Sequence, residues 1–258
     1  MSEISGKEWF NYFKELNEGF KSSNTILNML KEKENEKIFS ELDYKITDKE
    51  IMDAICSLKN NKSSGFDTII NEMLKCSQLY LIKCFNKIFN AILSNGKFPK
   101  LWAKCFIVPL FKNGSKDDPL NYSGITIGCS VGKLFTKILN YRLETFFIKR
   151  NIIKMEQIGF CKNKRTSDHL FVLKTLMDKY TQQGSKHLFT CLVDFRKAFD
   201  TVRLKELFLK MRLNGVSDLF YQVIKDMYAK TDGAFSDNNM TSSAYIRQLI
   251  FRILSETG

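Results

Sequence analysis

LVDFRKAFDTV, residues 192–202, is the stretch on which the reading of the fold turns. Just upstream, Leu188 to Val193 in HLFTCLV are apolar or β-branched, the composition of a short strand. Downstream, KAFDTVRLKELFLKM spaces Phe199, Val202, Leu207 and Met211 three to five residues apart, which predicts a helix that follows at once. Asp194 therefore stands at a strand end, where a carboxylate can hold a metal ion. Phosphoryl transfer asks little covalent help of a protein and much charge neutralisation, so sites that perform it can place two divalent ions between carboxylates and phosphate oxygens. Magnesium takes oxygen ligands and keeps several waters. Asp194, the backbone carbonyl of Phe195 and substrate phosphates thus complete an octahedron only with a second carboxylate. Taken alone, an Asp after a strand more often caps a helix or sits in a surface turn.

Composition narrows the partners. With 258 residues, 44% apolar and 26% charged, the chain can bury a sizeable core as one large domain or two smaller ones. Forty Lys and Arg against 28 Asp and Glu leave a net charge of +12, and a pI near 9.3 suits a polyanion, with nucleic acid first. A basic but otherwise idle surface is the alternative. The excess is concentrated: residues 101–175 hold 13 basic and 5 acidic residues. Seven cysteines at 56, 76, 84, 105, 129, 161 and 191 are odd in number and form no C-x-x-C pair, so neither a zinc ribbon nor a disulfide framework is supported and small core residues in a reducing compartment are expected. His169 and His187 lack ligand spacing. The start, MSEISGKEWF, has no apolar signal segment, and the longest apolar run, CFIVPLF, is seven residues. The expected place is therefore intracellular, with no membrane span.

Along the chain, EWFNYFKELNEGF predicts a leading helix and KEKENEK a polar linker or exposed helix. ITDKEIMDAICSLKNNK carries a capping box from Thr47 to Glu50, a staple of Ile46 with Ile51, and apolar residues at 51, 54, 55 and 58. KSSGFD makes a turn at Gly65, and one helix is predicted from Glu72 to Leu93, stopped by Asn95-Gly96. CFIVPLF and NYSGITI read as two strands joined by a polar loop with Lys112 and Lys116, able to cover phosphates. In SVGKLFTKILNYRLETFFIKR, Val131, Leu134, Phe135, Ile138, Leu139 and Phe146 share one helical face, a core stripe that leaves Lys133, Lys137 and Arg142 elsewhere. Lys162, Lys164 and Arg165 lead into a helix beginning near Ser167. That cluster contacts phosphates or is simply a solvated helix start, and charge alone leaves both open.

LVDFRKAFDTV resembles motif A of reverse transcriptases, specifically those of non-LTR retrotransposons (long interspersed elements), where an Asp five residues before an aromatic is a polymerase metal ligand. The resemblance covers about residues 8–248 in order: EWFNYFKEL is similar to the aromatic helix before the polymerase domain, ITDKEIMDAICSLKNNKSSGFDTIINEMLK to the segment leading into the fingers, GKFPKLWAKCFIVPLFKNGSKDDPLNYSGIT to the fingers hairpin, and QIGFCKNKRTSDHL to the basic motif before the palm. It implies an α+β, right-hand polymerase fold. Residues 1–45 would form an N-terminal helical extension or linker, 46–186 the fingers, and 187–248 a partial palm, with 249–258 a non-matching tail. It also implies Mg2+, an RNA template, a DNA primer and deoxynucleotides, with Asp194 as catalytic metal ligand. Nucleotide contacts would come from Lys112, which matches a lysine approaching the triphosphate, from Phe195, and from Phe199, which matches the aromatic under the sugar. Lys162, Lys164 and Arg165 would meet nucleic acid.

The departures are specific. Ser123 and Gly124 stand where the family usually has Arg and Pro, and Cys161 replaces an Arg after Gly-Phe. YIRQ at 245–248 is similar to the start of the next palm motif, but Leu249 takes the usual Gly position. The aromatic-x-Asp-Asp string that brings the other metal carboxylate is absent, as is a thumb, and Asp117-Asp118, the one adjacent acidic pair, lies in the hairpin loop. The resemblance thus leads to a polymerase-lineage fragment unable to polymerise alone. A non-catalytic RNA or RNA–DNA binding module, and an unstable product of a decayed element, stay open beside it.

Overall fold

Thr47 starts the helix that the sequence marks most clearly. Its hydroxyl accepts the Glu50 N–H while the Glu50 carboxylate accepts the Thr47 N–H at 2.9 Å, a complete capping box that satisfies two of the donors a helix start leaves orphaned. The computed structural model describes residues 4–18, 28, 38–154, 156–159, 161, 164–181, 188–194 and 202–233. In it, α1 spans Gly6–Glu18 and α2 spans Asp48–Cys56. Ile46, Ile51, Ala54, Ile55 and Leu58 are all buried, as their spacing predicts. The polar run KEKENEK lies outside the described residues.

The single helix expected from Glu72 to Leu93 is divided into α3, Asn71–Cys76, and α4, Gln78–Asn95. Ser77 makes the break. Both its hydroxyl, at 2.6 Å, and its N–H, at 3.1 Å, donate to the Met73 carbonyl, the local competition by which serine interrupts helices. Ile82, Phe85, Phe89, Ile92 and Leu93 then line the buried face of α4, which ends at Gly96 with φ 63°, the left-handed stop that Asn-Gly predicts.

After a single turn, α5 (Lys100–Ala103), strands β1 (Cys105–Phe111) and β2 (Tyr122–Gly128) form an antiparallel hairpin in which Cys105 faces Gly128 and Phe111 faces Tyr122. The long helix α6, Ser130–Lys149, buries Leu134, Phe135, Ile138, Leu139, Leu143, Phe146 and Phe147, and Val131 is half-buried against the same core. α2 packs between α4 and α6. Helices α8 (Leu204–Leu213) and α9 (Asp218–Gly233) then return to this core. Phe220, Val223, Ile224, Met227 and Tyr228 of α9 are buried in it, and α9 lies along α4 and the 3-10 turn Ser40–Asp43. The described residues are therefore a mixed helical and small-sheet structure, α+β as expected. Among them no helix is long and apolar enough to cross a membrane.

Two expectations around Asp194 change. Residues 188–194 pair with no strand among the described residues, and Phe189, Leu192 and Val193 are 92%, 90% and 73% exposed. An apolar run becomes a strand only when a neighbour completes its hydrogen bonds, and the sequence pattern cannot supply that neighbour. The following described helix begins at Leu204, so Val202 precedes it, while Leu207 and Met211 are buried in it as predicted. Phe199 and Asp200 lie outside the described residues. The helix expected near Ser167 is α7, Thr166–Thr181, and it buries none of its residues.

Candidate nucleic-acid interface

The loop from Lys112 to Asn121 is stitched by its own polar groups. The Lys112 N–H donates to the Asn121 carbonyl at 2.9 Å and closes the hairpin. The Asn121 side-chain amide donates to the Ser115 carbonyl at 2.9 Å, the Asp118 carboxylate accepts the Leu120 N–H at 2.9 Å, and the Tyr122 hydroxyl donates to the Lys116 carbonyl at 2.9 Å. Gly114 has φ 93°, and a side chain there would meet the Asn121 amide at 2.6 Å, so the tight turn needs glycine. Asp118 is engaged within the loop and Asp117 lies against the Ser115 hydroxyl. Lys112 and Lys116 remain exposed. A stiff loop with exposed ammonium groups can meet phosphates without first being ordered.

One face of the hairpin is covered by α1. Trp9 sits edge-on to Tyr122 with centroids 4.8 Å apart, and Trp9 stacks on Phe13 at 5.7 Å. Gly124 makes the approach possible, since a Cβ there would lie 2.7 Å from the Phe13 ring and 2.9 Å from Ile107. The opposite face leaves Phe106, Val108, Leu110 and Ile125 exposed.

A second basic group forms where α2, α3 and α6 meet. Lys137 donates to the Ser57 carbonyl at 3.1 Å, and Lys75 donates to the Asn60 side chain at 2.6 Å. Burial lowers the Lys137 pKa, and the nearby Lys59 and Lys75 lower it further; burial also lowers that of Lys133, against the opposing charge of Asp67. Sequence reading missed this convergence. Positions 59, 75 and 137 form no run, and only helix packing gathers them.

The sequence-predicted residues fare unequally. Lys162, Phe195 and Phe199 lie outside the described residues. Lys164 and Arg165 are exposed just before α7, where the Arg165 N–H donates to Asp168 at 2.7 Å. Asp194 is exposed, and the described residues contain no group of three or more His, Cys, Asp or Glu able to hold a metal. One carboxylate does not fit a two-ion magnesium site, so the described side chains do not by themselves make one. Of the cysteines, Cys105 and Cys129 are buried as expected, whereas Cys56, Cys76, Cys84 and Cys191 are exposed. Cys129 caps α6 by accepting the Gly132 N–H at 3.2 Å, and burial pushes its thiol up to about 11.

A family model described as reverse transcriptase (RNA-dependent DNA polymerase) matches residues 112–250, more than half the chain, from Lys112 of the basic loop through Asp194. The chain belongs to the reverse transcriptases. It is 30% identical over 155 residues to the probable RNA-directed DNA polymerase from transposon BS of Drosophila melanogaster, covering 59% of this chain and 17% of that relative. It is 28% identical over the same length to the X-element counterpart from the same fly, again with 59% and 17% covered. To the RNA-directed DNA polymerase from mobile element jockey of Drosophila funebris it is 28% identical over 193 residues, 71% of this chain and 20% of that one. The chain thus spans a fifth or less of the length of these reverse transcriptase relatives, all from mobile elements, in keeping with a non-LTR reverse-transcriptase fragment.

Proposed function

We propose that this chain supplies the fingers, residues 46–186, and the leading palm segment, residues 187–248, of a right-hand RNA-directed DNA polymerase of a non-LTR retrotransposon, and that by itself it grips RNA or an RNA–DNA duplex without polymerising. The observation that carries the reading is the coincidence of the family match with the stiff hairpin presenting Lys112 and Lys116, inside the stretch where basic residues outnumber acidic ones 13 to 5. Backbone phosphates are the common feature of the ligands such a surface takes. In the full polymerase lineage, Asp194 would share magnesium with a second carboxylate, Lys112 and Phe195 would meet the deoxynucleotide, and Phe199 would pack under its sugar. Lys162, Lys164 and Arg165 would follow the template.

The test is primer extension on an RNA template with magnesium and all four deoxynucleotides, run beside Asp194→Ala. Two ions must be held a few ångströms apart, one at the primer hydroxyl and one at the leaving pyrophosphate, and Asp194 without a second carboxylate cannot hold both. No extension by either protein, with retained RNA binding, is expected. Extension by the parent that vanishes in Asp194→Ala overturns the reading.

A second reading has its own support. Phe171 of α7 is 72% exposed, and Leu170, Phe189, Leu192 and Val193 are exposed as well, apolar surface that is a liability for aggregation. A chain that elutes only as aggregate, and is rescued by no nucleic acid, would favour the unstable product of a decayed element over the binding module.

A further inference from the structure

Tyr122 joins two elements that chain order separates. Its ring is buried, edge-on to Trp9 of α1 at 4.8 Å and to Phe111 of β1 at 5.2 Å. Its hydroxyl leaves this aromatic nest and donates to the Lys116 carbonyl at 2.9 Å, six residues back in the basic loop. A buried ring with a fixed hydroxyl is a rigid lever, because the oxygen lies on the Cβ–Cγ axis and one staggered torsion, χ1, sets its position. Here α1, packing through Trp9 and Phe13 against Tyr122 and Gly124, fixes the ring.

We propose that Tyr122 is a positioning residue for phosphate contacts made by the basic loop: docking of α1 orients the Tyr122 ring, and the Tyr122 hydroxyl holds the loop backbone in the shape that presents Lys112 and Lys116. The inference rests on the proposed reading of that loop as a phosphate-contacting surface. A carbonyl in an exposed turn has water as a ready substitute partner, so global stability does not need this bond. The bond instead restricts the loop to one conformation, which spares the ordering cost on binding. Tyr122 itself touches no ligand in this scheme and acts through the loop.

The experiment uses the whole chain and a fluorescein-labelled RNA–DNA primer–template duplex, with affinity read by anisotropy at low salt. Tyr122→Phe keeps the ring and removes the hydroxyl; it should weaken binding roughly two- to tenfold, the range of one hydrogen bond, with an unchanged melting temperature. In a Lys112→Ala/Lys116→Ala background the same change should have no further effect. Hydrogen exchange gives a readout independent of ligand: Tyr122→Phe should speed exchange of the loop amides between 113 and 121 and leave α1 protected. Unaltered loop exchange, or a Tyr122→Phe weakening that is as large in the Lys112→Ala/Lys116→Ala background as in the parent, overturns the inference while leaving the proposed function intact. If the Lys112→Ala/Lys116→Ala variant binds the duplex as tightly as the parent, the phosphate reading of the loop fails and the positioning role falls with it.

Discussion

Asp43 and Ser217 stand 174 residues apart in the chain and share a hydrogen bond of 2.7 Å, the Ser217 hydroxyl donating to the Asp43 carboxylate. The same oxygen accepts the Phe220 N–H at 2.9 Å, in the first turn of α9. Asp43 thus caps from a distance a helix whose own sequence leads with Ser-Asp, and the parallel bridge of Phe39 with Val216 lies beside it. Elements before and after the basic hairpin are closed into one core by these contacts.

Removing that cap should loosen the closure. Asp43→Ala leaves the Ser217 hydroxyl and the Phe220 N–H without their acceptor, a loss of about 1 to 2 kcal/mol. Denaturant unfolding should show a lower midpoint with an unchanged slope. An unaltered midpoint would show that α9 does not need Asp43.

Arg142 gathers the start of α2. Its guanidinium donates to both Glu50 oxygens, at 2.6 and 2.8 Å, and to the carbonyls of Leu42 and Lys45 at 3.2 and 3.1 Å. Burial raises the Glu50 pKa, but the Arg142 and Thr47 bonds outweigh it and hold the carboxyl below its ordinary value. A carboxyl depressed in the folded state contributes stability that is present above the unfolded value of about 4.3 and is lost as pH falls through the lower folded value. Thermal unfolding between about pH 6 and pH 3 should therefore show a decline that is smaller in Glu50→Gln. Arg142→Ala should cost about 2 kcal/mol at neutral pH, since it strands a partly buried carboxylate.

Gly124 sets the docking of α1. Gly124→Val would drive a side chain into the Phe13 ring and Ile107, so α1 should come off the hairpin while the helical core persists. Hydrogen exchange would then rise across residues 6–18 with little change in α4 or α6. Protection retained in α1 would mean that Phe13 finds another position.

RNA affinity should fall steeply with salt. If about 4 to 6 phosphates are contacted, raising salt from about 50 to about 200 mM should weaken binding on the order of a hundredfold or more, because condensed counterions are released on binding. The measurement is a filter-binding titration with RNAs of unrelated sequence. Salt-insensitive affinity, or no binding at low salt, would remove the electrostatic reading of residues 101–175.

Local chemistry carried much of the sequence reading. The capping box of Thr47 and Glu50, the left-handed stop at Gly96, the two apolar strands flanking Lys112 and the core stripe of α6 each follow from neighbours within a few residues, where propensity and hydrogen-bond geometry are local quantities. The break at Ser77 is local too, but one hydroxyl competing for one carbonyl is too weak a signal to read against a continuous apolar period. Family membership was also legible, because LVDFRKAFDTV and the segments before it keep their order and spacing.

Other features were decided only in three dimensions. The Lys59, Lys75 and Lys137 group, the Trp9–Tyr122–Lys116 chain and the capping of α9 by Asp43 join residues that share no period and no motif. The strand expected before Asp194 shows the same limit from the other side. A sequence specifies which residues would suit a strand, but the ladder of hydrogen bonds that makes one belongs to a neighbouring backbone, and residues 188–194 form no strand with the other described residues.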